Sequence, residues 1–172
     1  IAVESDDKMQ QAVLPTNNNT HIYISTAAVS DYRINNIATH KIKKTKDTRT
    51  LQLTKNNDII STVANHTSRP YIVGFAAETE DIVKNAKDKL IRQNLDMILA
   101  NYVSTPAAGS DQPDIGFNSE YNALHVFWSQ NNETRGEQQF EVARKSQLAK
   151  RLISLIAKQY NINKKQHAQN TA

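Results

Sequence analysis

Three groups of side chains in this 172-residue chain could do chemistry together. Asp31, Tyr32 and Arg33 follow directly on the apolar run HIYISTAA. A basic cluster comes next, at Lys41, Lys43 and Lys44. Lys89 and Gln93 stand one helical turn apart further on. Lysine is a mobile point charge that can follow negative charge onto a phosphate leaving group. A carboxylate just past a strand end can accept hydrogen bonds from ribose hydroxyls or a base amino group. The chemistry that this set suits is the holding of an anionic ligand in a crevice at the carboxyl ends of strands.

Each group also has a plainer reading. A basic run such as KIKK is most often a solvated face. Asp31 could close an Asx turn or pair with Arg33. Phe75 either stacks on a base or plugs the core, and Glu78 can simply complement a helix dipole. Lys89 is more pointed. Ile82, Ala86, Lys89 and Gln93 fall on one line of a helix, so a lysine and a glutamine continue its inward stripe. Lysine rarely goes inside without a partner. The alternative is that Lys89 snorkels at the helix end, where a cation suits the dipole.

The elements that must position these groups can be read from periodicity. Ser5 and Asp6 cap a helix over Asp7–Val13. Ile22–Ala28, Tyr71–Phe75 and Asp96–Ala100 are apolar runs that read as strands buried on both faces, as parallel strands are. Leu51–Thr54 reads as a short strand, and the segment before it as a loop whose TKDTRT stretch could be a flap. A helix over Ile59–Asn65 is capped by the Asn56–Asp58 triplet, and one over Glu80–Asn94 by Thr79. Ser104–Pro113 is a turn-rich loop, and Ala123–Trp128 a further strand. Ser146 caps a last helix to about Tyr160, with Leu148, Leu152, Leu155 and Ile156 on one stripe. The polar residues from Asn161 on read as a frayed tail. Strand and helix alternate with short connections, which is the mark of an α/β, Rossmann-like, doubly wound and mostly parallel sheet.

Composition narrows the function. A chain of this length supports one domain with a core. There are no cysteines, so no disulfide, thiolate metal site or cysteine nucleophile is available. His21, His40, His66, His125 and His167 are scattered and suggest no zinc site. The net charge of +4 suits an anionic ligand or plain solubility. Aromatics are not interleaved with the basic run, which speaks against single-stranded nucleic acid. Neither G-x-G-x-x-G nor a P-loop occurs. No apolar run approaches the roughly 20 residues that cross a membrane, so a cytoplasmic protein is expected. Ile1 in first position and only four glycines suggest a fragment of a longer protein.

Six blocks occur in a telling order: AAVSDYR at Ala27–Arg33, KIKK at Lys41–Lys44, KNND at Lys55–Asp58, VGFAAET at Val73–Thr79, KLIRQNLDMILAN at Lys89–Asn101 and GFNSEYNALHVFW at Gly116–Trp128. Together they resemble the bacterial CTP-dependent phosphopantothenoylcysteine synthetase, which is usually fused to a flavin-dependent decarboxylase. The resemblance implies a Rossmann-like fold in a homodimer, CTP and Mg2+, and the substrates 4′-phosphopantothenate and L-cysteine. It implies nucleotide contacts from Ala27, Ala28, Asp31, Asn56, Asn57, Asp58, Phe75, Lys89 and Gln93. Lys41 would serve both catalysis and the phosphates. Partners among nucleic acids or membranes are not implied.

The sequence departs from the family at several points. Gln93 stands where a second helix lysine is usual, Asn57 replaces a proline, and Tyr102 replaces an aspartate. The family's opening N-x-S-S-G-K-M-G-like segment has no match. Residues 1–160 are therefore expected to be a partial synthetase domain that lacks its first strands, with 161–172 as a disordered tail. A non-catalytic nucleotide-binding or oligomerisation module is the alternative.

Overall fold

In a computed structural model, the structure describes residues 1–14, 19–36, 38–43, 48–78, 80–102, 115, 119–130 and 133–170. Helix α1 (Asp6–Val13) precedes β1 (Ile22–Ser25), β2 (Tyr32–Ile34), β3 (Leu53–Lys55), α2 (Ile59–Ala64), β4 (Tyr71–Glu78), α3 (Ile82–Arg92), β5 (Met97–Tyr102), β6 (Tyr121–Gln130), β7 (Glu133–Arg144) and α4 (Lys145–Asn170). Five strands make the central sheet in the order β1-β4-β5-β6-β7. β1, β4 and β5 are mutually parallel, and β6 runs antiparallel to both β5 and β7. Four of the five strands therefore point one way, and β6 alone opposes them.

The period-two alternation of the strands builds a core on each face. Tyr71, Val73, Met97, Leu99, Leu124 and Val126 pack against Leu148, Leu152, Leu155 and Ile156 of α4. The alternate residues Ile72, Ala76, Ile98, Ala100 and Phe127 pack against Val63 and Ala64 of α2 and Ala86 and Leu90 of α3. This is the expected doubly wound arrangement. Gly74 is what lets the α2 layer sit close: a Cβ there would lie 2.8 Å from Leu95 Cδ1 and 3.2 Å from Ile60 Cδ1.

The turn out of α3 is well specified. Asn94 adopts a left-handed φ of 52°. The Leu95 N–H bonds to the Leu90 carbonyl at 2.9 Å and the Asn94 N–H to that of Ile91 at 3.0 Å, a Schellman closure. Asp96 then fixes the start of β4 against β5. Its carboxylate accepts the Ile72 N–H at 2.7 Å and pairs with Arg69.

Several expectations need correction. β1 ends at Ser25 and is half-buried, because β4 is its single partner among the described residues. The segment after it is not all loop, since β2 and β3 pair as a separate antiparallel ribbon. α3 begins at Ile82 with Asp81 as N-cap, in a left-handed conformation and without a side-chain cap bond. Thr79, the side chain of Glu78 and the whole Ser104–Pro113 loop lie outside the described residues. The sequence reading missed β7, a twelve-residue strand in which only Phe140 is buried. α4 runs to Asn170, about ten residues past the expected end and through the stretch read as frayed.

Candidate functional site

A cleft of about 880 Å³ opens past the carboxyl end of β1, where α1, the β2–β3 ribbon, α2 and α3 meet. Ser25, Ala27 and Asp31 enter from the segment after β1, and Asn56, Asn57 and Asp58 from the turn between β3 and α2. Phe75 comes from β4, and Asp88, Lys89, Arg92 and Gln93 from α3. The fold places these segments together for simple reasons. β1 pairs with β4 in parallel, so Ser25 lies opposite Gly74, next to Phe75. The α3 crossover then carries its polar stripe back over the same strand ends.

Asp58 is the electrostatic centre. It caps α2, accepting the Ser61 N–H at 3.0 Å and the Ser61 hydroxyl at 2.7 Å. Gln93 Nε2 donates to the same carboxylate at 2.7 Å. Burial by itself pushes the Asp58 carboxyl up. The Ser61 and Gln93 hydrogen bonds, with the Lys89 charge, outweigh it and hold the group below the usual carboxylate range. Lys89 Nζ makes only a long 3.5 Å contact with the Phe75 carbonyl among the described residues. Most of its three-donor capacity therefore faces the cleft.

Asn56 is the only buried polar or charged side chain among the described residues. Its amide donates to the Asp6 carboxylate and to the Ser30 carbonyl at 2.8 Å. Its oxygen accepts Arg33 at 2.9 Å. Arg33 thus pairs with Asn56, not with Asp31 as the plainer reading allowed. Asn57 donates to Gln10 of α1 at 3.1 Å.

Eight of the expected nucleotide residues line this one cleft: Ala27, Asp31, Asn56, Asn57, Asp58, Phe75, Lys89 and Gln93. Ala28 is exposed and does not line it. Lys41 and Lys43 sit exposed in an irregular segment and are not among its lining residues, and Lys44 lies outside the described residues, as do residues 45–47 of the expected flap. Sequence reasoning missed Lys55, Arg92, Asp88 and Met9, which also line the cleft. Arg92 was within reach, being three residues beyond Lys89 on the same helix. The Asp6–Asn56 bond was not, because it joins residues fifty apart.

An open α/β sheet with a charged cleft past the carboxyl end of a parallel strand defines a domain of the doubly wound class, in which small ligands commonly bind at that place. The chain belongs to the family of the DNA/pantothenate metabolism flavoprotein C-terminal domain, whose family model matches residues 1–160. It is 43% identical over 162 residues to the coenzyme A biosynthesis bifunctional protein CoaBC of Vibrio cholerae, covering 92% of this chain and 38% of that protein. The Escherichia coli K12 protein of the same name is 41% identical over 160 residues, covering 90% and 36%. This chain thus spans well under half the length of these relatives. The crystal structure of the C-terminal domain of a CoaBC protein superposes with a TM-score of 0.66 at 24% identity, over 91% of this chain and 63% of that one. That likeness is one of fold.

Proposed function

We propose that this chain is the nucleotide-binding part of a phosphopantothenate–cysteine ligase of coenzyme A biosynthesis. The observation that carries the reading is the convergence of those eight side chains on one cleft. Family membership and relatives named for coenzyme A biosynthesis support it. In this reading the carboxylate of 4′-phosphopantothenate attacks the α-phosphorus of CTP, and pyrophosphate leaves with the bonding electron pair. The amino group of L-cysteine then attacks the acyl-cytidylate carbonyl, releases CMP and forms the amide.

The cleft's own groups supply positioning and charge. Lys89, Lys55 and Arg92 offer three cations to the polyphosphate. In this reading Asp31, which lines the cleft, would accept from the nucleoside, and Phe75 would offer an apolar wall. Mg2+ would accompany the triphosphate in this reading, with phosphate oxygens and water among its ligands. Lys41 as the catalytic lysine, the homodimer and a linked flavin-dependent decarboxylase rest on the family resemblance, the last also on the "bifunctional" name of the relatives. No helix among the described residues is long and apolar enough to cross a membrane; a cytoplasmic location is part of the same reading.

The test is pyrophosphate release by the full-length protein with CTP, 4′-phosphopantothenate and cysteine. Lys89→Ala is expected to raise the KM for CTP about tenfold or more, the loss of one charge-assisted contact. Lys41→Ala is expected to lower kcat. CTP binding with no pyrophosphate release would favour the non-catalytic module instead.

A further inference from the structure

The amide of Asn56 spends both of its hydrogens inside the protein, on Asp6 and on the Ser30 carbonyl. Its backbone N–H is also spent, on the Asp31 carbonyl at 2.8 Å. Asn56 thus has no donor left for a ligand. What it does instead is tie three segments together: α1, the 30–33 segment and the turn into α2. One helical turn along α1, Gln10 accepts from Asn57. Asp6 and Gln10 are four residues apart, so α1 grips the 56–57 turn with two teeth on one face.

We propose that Asp6 is a positioning residue for the cleft, acting through Asn56 rather than touching the ligand. The Asp6–Asn56 bond sets the 56–58 turn, and with it the places of the Asp31 backbone and the Asp58 carboxylate. This rests on the nucleotide reading above. Removing the Asp6 carboxylate leaves a buried amide hydrogen unpaired, which the turn relieves by moving. Replacing it with asparagine keeps an acceptor oxygen at the same reach.

The experiment is CTP titration by calorimetry on the full-length protein carrying Asp6→Ala, Asp6→Asn or Ser5→Ala. Ser5→Ala removes the α1 cap, in which the Ser5 hydroxyl accepts the Lys8 N–H at 3.3 Å, and leaves Asn56 untouched. It therefore reports what merely loosening α1 does. Asp6→Ala is expected to weaken CTP binding about tenfold. Asp6→Asn and Ser5→Ala are expected to stay within about twofold of wild type. Equal loss in Asp6→Ala and Ser5→Ala, or no rescue by Asp6→Asn, overturns the inference. Hydrogen exchange at residues 56–61 of the free protein separates this from failure of the nucleotide reading. Faster exchange in Asp6→Ala than in Ser5→Ala supports the positioning role even if no variant binds CTP, and equal exchange refutes it.

Discussion

Gln93 Nε2 donates to the Asp58 carboxylate at 2.7 Å, joining the end of α3 to the cap of α2 across the cleft. A neutral carboxamide thus occupies the position from which, on the proposed nucleotide reading, a cation would meet both Asp58 and the phosphate chain. Its own Oε1 is buried and has no hydrogen-bond partner among the described residues.

Gln93→Lys is therefore expected to tighten CTP binding by roughly three- to tenfold, and to do so more for CTP than for CMP, because the added charge acts on the polyphosphate. Parallel titrations with the two nucleotides check this. Equal gains for both would mean that the added charge acts at the shared α-phosphate, and no gain for either that the new lysine is spent on Asp58.

Asp58 also makes stability depend on pH. Its folded pKa is lowered, so its contribution is present above the ordinary carboxylate pKa of about 3.9 and is lost as pH falls through the lower folded value. Asp58→Asn should show a shallower loss of stability on acidification below about pH 5 than wild type does, read from urea midpoints. Parallel acid limbs for the two proteins would contradict the assignment.

His125 acts in a higher window. It stacks on Phe127 with centroids 4.2 Å apart, and its Nε2 lies 3.9 Å from Glu137, which pairs with Lys87 at 2.9 Å. Burial lowers its pKa; Glu137 opposes this and Lys87 adds to it. The unfolded chain therefore takes the proton first, and stability falls as pH drops below about 6.5. Thermal midpoints from pH 7.5 to 5.5 should fall less for His125→Gln than for wild type.

Gly136 lies against the only tryptophan of the chain. A Cβ there would come within 2.4 Å of the Trp128 ring. Gly136→Val is expected to destabilise by about 1–3 kcal/mol through overpacking. It should also displace the indole, which a shift in tryptophan emission would record. An unchanged spectrum with unchanged stability would show that the ring has room to yield.

Much of this fold is legible in the sequence wherever burial imposes a pattern. YIVGF and the MILA run at Met97–Ala100 carry no charged residue because both faces of β4 and β5 are covered, and the α4 stripe follows its single packed face. β7 is illegible for the same reason: as an outer strand it needs only Phe140 inside, and ETRGEQQFEVAR carries no alternation to find. The tail beyond Tyr160 looked frayed by polarity, yet a helix already formed on Leu148–Ile156 propagates cheaply. In the site, Lys89 and Gln93 announced themselves as polar breaks in an inward stripe. Asp6 could not, since its partner arrives through tertiary pairing alone.

The sheet keeps its two packed faces apart, and the cleft belongs almost wholly to the α2 and α3 side. Phe75 is the exception: of the side chains that line the cleft, it alone also packs into the α4-side core. Whatever jostles the α4 layer, whether a substitution, a temperature change or a docked neighbour, has this one ring, among the described residues, as its side-chain route to the cleft. Phe75 is in that sense the molecule's keyhole between two otherwise separate rooms.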